Sequence, residues 1–112
     1  MEEKRRHNRY PAPEMTFVIG FQSPGQVTDV SDSGLGVRYK GSEKLPDEIV
    51  VDLLNATKSV TIDQVRCRKV RDETVGRVAV FSYISERRLG LEFLNPTPEQ
   101  LSALKLFKGI EN

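Results

Sequence analysis

Arg5 and Arg9 are the only two arginines four residues apart in this 112-residue chain, and Lys4 directly precedes them. Guanidinium groups bind phosphate oxygens bidentately and stack on planar bases, so a spaced pair suits an anionic, aromatic ligand. Downstream stands Asp29-Val30-Ser31-Asp32-Ser33-Gly34, followed by Leu35-Gly36-Val37. Asp and Ser side chains in such a turn hydrogen-bond neighbouring backbone, and glycines leave room for a close approach. The turn is therefore a short surface with two acceptors and open space. Each set also has a plain explanation alone: a solvated basic tail for the first, a tight hairpin for the second.

The elements that must position these residues follow from hydrophobic period. Residues 1–13 read as a flexible basic arm: Lys4-Arg5-Arg6-His7-Asn8-Arg9 is rich in cations, and Pro11 and Pro13 push the chain towards extended structure. With almost no apolar residues the arm cannot order itself by burial. Met15, Phe17, Ile19 and Phe21 alternate with Thr16, Val18 and Gly20, which predicts a strand. Further strands are expected over Gln26 to Ser31, Leu35 to Tyr39, Ile49 to Leu53, Lys58 to Arg71, Val78 to Tyr83 and Leu89 to Phe93. Val60 and Ile62 share one parity and Val65 and Cys67 the other, so a bulge is expected near Asp63-Gln64. Thr97, Pro98 and Gln100 spell a helix start with a capping box, and Ala103, Leu106, Phe107 and Ile110 fall on one face, with Gly109 as its terminator. The class is all-β with a C-terminal helix: a small antiparallel β-barrel of about six to seven strands plus one helix, spanning residues 14–112 as one domain. A two-sheet sandwich is the structural alternative.

Composition narrows the function. The net charge of +1 gives no broad basic field of the kind that drives nonspecific nucleic-acid binding. Cys67 is the only cysteine and His7 the only histidine, so neither a disulfide, a metal cluster nor a nucleophile–base set is visible, and an enzyme is not expected. The N-terminus is charged rather than apolar and no run is long enough to span a membrane, which makes a cytoplasmic protein the expectation. Cys67 reads as a buried small apolar side chain, and Arg66 and Arg68 as a solvent-facing pair on one strand face.

Arg5-x-x-x-Arg9, one strand, then Asp29-x-Ser31-x-x-Gly34 is a specific combination. It resembles the PilZ domain, a bacterial receptor for cyclic dimeric GMP. Both motifs are complete, Leu89-Gly90-Leu91-Glu92-Phe93 looks like that family's last barrel strand, and a helix follows it. The resemblance implies a stand-alone signalling receptor or adaptor that binds cyclic di-GMP through Lys4, Arg5, Arg9, Asp29, Ser31 and Gly34, without metal or cofactor. Asp29 would accept from guanine N–H groups or hold an arginine, Ser31 would add a hydroxyl bond, and Gly34 would let the ligand approach.

Ordering about six arm residues costs roughly 1–2 kcal/mol each, while a charge-assisted hydrogen bond returns about 1.5–3 kcal/mol. One arginine cannot fix the arm; two arginines, a turn and base stacking can, so arm closure and binding are expected as one event. The cations of the arm also match the charge of a stacked nucleotide pair, which leans towards two ligands per chain. The signal would pass to a separate effector protein, in motility or biofilm regulation. A small-barrel nucleic-acid binder and a protein-interaction module without nucleotide binding are the alternatives.

Overall fold

The computed structural model describes residues 10–77 and 84–108. The period-two stretches become strands β1 (Tyr10–Pro11), β2 (Thr16–Ile19), β3 (Gly25–Val30), β4 (Gly34–Lys40), β5 (Glu48–Asn55), β6 (Val60–Arg77) and β7 (Ser85–Phe93). Helix α1 (Pro98–Leu104) follows and runs into a 3-10 turn over Lys105–Lys108. Every pairing is antiparallel, in the order β3-β2-β5-β6-β7-β4, and β4 returns to pair with β3. Six strands thus close a barrel, and β1 lies outside it on β3. Closure pairs both edges of the sheet, which answers the aggregation hazard of an open one. The strand expected over Val78 to Tyr83 lies outside the described residues, as do Gly109 and Ile110.

The core is filled by the inward set of each strand, including Val18, Val30, Leu35, Tyr39, Leu53, Val65, Cys67, Leu89 and Leu91. Burial pushes the Cys67 thiol up to about 12, so it stays a neutral packing group. β2 turns its more polar parity inward. Thr16 and Val18 are buried, whereas Met15 and Ile19 are exposed. The reason is a polar tie: Asn55 Nδ2 donates to Thr16 Oγ1 (2.9 Å) and to Glu14 O (3.2 Å), and Thr16 Oγ1 donates to Pro13 O (2.6 Å). These bonds satisfy the groups that burial would otherwise penalise.

The bulge expected near Asp63-Gln64 is present. Val51 pairs with Val65 and Leu53 with Ile62, so Asp63 and Gln64 together oppose Asp52, and Gln64 has φ 58°. Its N–H donates to Asp52 Oδ1 at 2.9 Å. The helix begins as its residues dictate: Gln100 N donates to Thr97 Oγ1 and Thr97 N donates to Gln100 Oε1, both at 3.0 Å. Gln100 Nε2 also donates to Asp63 O (3.0 Å) and Gln64 O (3.1 Å), which latches the helix start to the bulge. Leu104 and Phe107 are buried against the barrel.

One buried group was not anticipated. Arg87 shares parity with Leu89 and Leu91 and is only 6% exposed. Its guanidinium donates to both carboxylate oxygens of Asp72 (3.0 and 2.8 Å) and to Gly41 O and Glu43 O (2.9 and 2.8 Å). It also stands 5.6 Å from the centre of the Tyr39 ring, whose hydroxyl donates to Glu43. The hydrogen bonds from Arg87 hold the Asp72 carboxyl below its ordinary range. This cluster closes one flank of the barrel with every charge partnered.

Candidate functional site

The Asp29–Gly34 motif occupies the end of β3, the turn and the start of β4. Ser31 is 2% exposed, and its hydroxyl accepts from the N–H groups of Ser33 and Gly34, both at 3.2 Å. Ser31 N donates to Gly34 O at 2.9 Å, and Phe93 N donates to Ser33 O at 2.8 Å. Ser31 is therefore the internal brace of the turn, and the turn is fastened to the end of β7. Gly34 is required from the inside as well: a Cβ there would lie 2.1 Å from Leu91 O. The space that Gly34 leaves is filled by β7, so the close approach it permits is between strands.

Asp29 points the other way. Val27 and Val30 are both buried although they are of opposite parity, because the β3–β4 register shifts between Val27 and Asp29. Thr28 is the extra residue of this bulge, and it turns Thr28 and Asp29 together towards the outer surface. Gly36 lies opposite Asp29, and a Cβ at Gly36 would sit 2.7 Å from Asp29 Oδ2. Gly36, unlike Gly34, makes room for a site side chain.

Across the barrel wall from Asp29 lies a second bulge. Lys69 pairs with Leu91 and Arg71 with Gly90, which leaves Val70 as the extra residue on β6. Gly90 in turn pairs with Gly36. Asp29, Gly36, Gly90 and Arg71 thus form one row across β3, β4, β7 and β6, with two glycines as its floor. Arg38 and Arg88 stand opposite each other in the next outward row. Asp29, Gly36, Arg38, Arg71 and Arg88, together with Thr28, Val37 and Leu89, line a cleft of about 250 Å³. The motif read from the sequence supplied Asp29 alone to this cleft; Arg38, Arg71 and Arg88 were missed. Parity of the outward residues on β7 was the available signal for Arg88, but the unseen bulge on β6 disguised Arg71.

Lys4, Arg5 and Arg9 lie outside the described residues. The described end of the arm is held at the motif: Tyr10 pairs with Val30 and Pro11 with Asp29, and Ala12 N donates to Thr28 O at 3.1 Å. Arg66 and Arg68 take exposed ion pairs with Glu48 (3.9 Å) and Glu92 (3.6 Å), as a solvent-facing pair should. Among the described residues no group of His, Cys, Asp and Glu is arranged to hold a metal ion, and no helix is long and apolar enough to cross a membrane.

No protein-family model and no curated protein matches this sequence. Solved structures do match the fold. MrkH of K. pneumonia, in complex with c-di-GMP, aligns over 94% of this chain with TM-score 0.70 and 13% identity. The chain spans 51% of that protein's length, about half. The PilZ domain of YcgR from Escherichia coli, with c-di-GMP, aligns over 92% of this chain and 87% of its own, with TM-score 0.67 and 16% identity. The chain has the PilZ fold, a six-stranded closed barrel with one extra strand and a short C-terminal helix.

Proposed function

We propose that this protein is a cyclic di-GMP receptor, a binding module rather than an enzyme, whose N-terminal arginine arm closes over the nucleotide and changes the surface offered to an effector protein. The observation that carries the reading is the pairing of β1 with β3. It fixes Tyr10, the residue after Arg9, beside Val30 in the middle of the Asp29–Ser31 motif. An arm anchored there has a short path to the turn, and two arginines delivered to it can pair with phosphates while Asp29 accepts from a guanine edge. Ser31 and Gly34 contribute by holding the turn rigid and docked on β7, so that Asp29 is presented without further ordering cost. The fold shared with two c-di-GMP-bound structures supports the same ligand. In this reading the protein acts in the bacterial cytoplasm as a second-messenger sensor.

Isothermal titration with cyclic di-GMP, and with cyclic di-AMP as the control ligand, tests the reading. Saturable binding that favours the guanine nucleotide is expected. Absence of binding, or equal binding of the two, overturns it.

A further inference from the structure

The cleft beside Asp29 is more elaborate than the sequence motifs account for. Two of its walls are charged residues, and both owe their outward direction to bulges. Thr28 is the extra residue that turns Asp29 out of β3, and Val70 the one that turns Arg71 out of β6. Bulges recur beside binding sites because they re-aim single side chains. Two of them converging on one row, from strands three spacings of about 4.8 Å apart, define a cradle roughly 14 Å wide between backbones. The glycine pair between them, Gly36 and Gly90, keeps its floor low: the Asp29 carboxylate leans over the one and the Arg71 stem over the other.

The cations of the cradle are set unfavourably for the free protein. Arg38 and Arg88 are directly opposite across β4 and β7. Like charges in that arrangement destabilise a sheet. Arg38 is offset by Glu86 at 3.5 Å and Arg71 by Glu73 at 3.5 Å. The Arg88 guanidinium has no carboxylate partner among the described residues, although Glu73 stands opposite it on β6. An anion over this row would relieve the repulsion and partner the remaining charge.

Resting on the cyclic di-GMP reading, we infer that Arg88, with Arg71 beside it, is a phosphate-binding subsite on the barrel wall, distinct from the arm. A nucleotide lying along the row presents donor N–H groups of a base to Asp29 at one end and a phosphate to Arg71 and Arg88 at the other. The barrel wall then holds the ligand by both of its chemical faces.

The test is titration of Arg88→Gln, Arg71→Gln and a control, Arg66→Gln, with cyclic di-GMP at low and moderate salt, with thermal unfolding of each free variant alongside. Arg88→Gln is expected to bind about tenfold more weakly or worse, and with a shallower salt dependence than wild type. Arg71→Gln should lose affinity in the same direction, and Arg66→Gln should bind as wild type. The free Arg88→Gln protein should unfold no lower than wild type, because a like-charge opposition is removed. Wild-type affinity in both Arg88→Gln and Arg71→Gln overturns the subsite and leaves the receptor reading standing. A wild-type chain that binds no cyclic di-GMP overturns the reading and the subsite with it.

Discussion

At the scale of single residues, the motif divides into one outward-facing group and two that shape the backbone. Asp29 is outward and half-exposed; Ser31 and Gly34 are buried in the turn. Asp29→Ala should therefore weaken cyclic di-GMP more than cyclic di-AMP while leaving the melting temperature unchanged. Ser31→Ala should lower both affinity and stability, the latter by about 1 kcal/mol for the lost turn bonds. Chemical denaturation beside titration separates the two. The glycines make a sharper pair. In Gly34→Ala the added methyl meets a backbone carbonyl at 2.1 Å, which only a strand shift can relieve; in Gly36→Ala it meets the movable Asp29 carboxylate. The first is expected to cost stability and the second affinity, and a Gly36→Ala protein that binds normally would show that the position of Asp29 does not matter. Residue identity made the motif legible in the sequence, because Asp, Ser and Gly have turn chemistry of their own. Arg71 was hidden because its direction depends on which residue of β6 is extra, and composition does not carry that information; Arg88 was legible from the alternation of β7. Arg87 was legible in principle, since its parity is that of Leu89 and Leu91, but a charged residue gives no apolar signal for the period to follow.

At the scale of elements, the existence of β2 to β7, the bulge at Asp63-Gln64 and the capping box were readable from period and spacing, but the run of β6 on to Arg77 and the start of β7 at Ser85 rather than Leu89 were not. The inward face of β2 was not, because Thr16 is buried for the sake of Asn55, a partner 39 residues away. Gln100 does two jobs that a substitution can separate. Gln100→Glu keeps an acceptor for Thr97 N but loses the N–H donors to Asp63 O and Gln64 O, whereas Gln100→Ala loses both functions. Hydrogen exchange should therefore show faster opening of the β5–β6 bulge in both variants, and loosening of the helix start only in Gln100→Ala. The arm is the other separable element. Backbone relaxation of residues 4–9 is expected to show ordering when cyclic di-GMP is added, because binding and arm closure are one event in the proposed mechanism. Relaxation unchanged at saturation would remove the arm from the switch, and a titration endpoint of one nucleotide per chain would remove only the stacked pair. Arg5→Ala and Arg9→Ala should each weaken binding severely with the fold intact.

At the scale of the whole molecule, the Asp72–Arg87 pair couples stability to pH. The Asp72 carboxyl is held below its unfolded value, so its stabilising contribution is complete above the unfolded pKa of about 4 and is lost as pH falls through the folded one. Acid unfolding followed by circular dichroism should show wild type losing stability below about pH 4 and Asp72→Asn losing less over that window. At neutral pH the same variant should be the less stable, by less than the ~3–5 kcal/mol of an unpaired buried charge, because Arg87 keeps its bonds to Gly41 O and Glu43 O. The cleft, finally, has a history within each molecule. Its residues come from both ends of the chain, Thr28 and Asp29 near the start and Arg88 and Leu89 near the finish, and no hairpin by itself contains them. A nascent chain therefore has no such cleft until β7 has emerged and closed against β4. Pairings of such sequence separation form late and slowly. On the receptor reading proposed above, a nucleotide would meet only finished barrels, and once seated it would act as a rivet across the seam, slowing unfolding and cleavage by proteases.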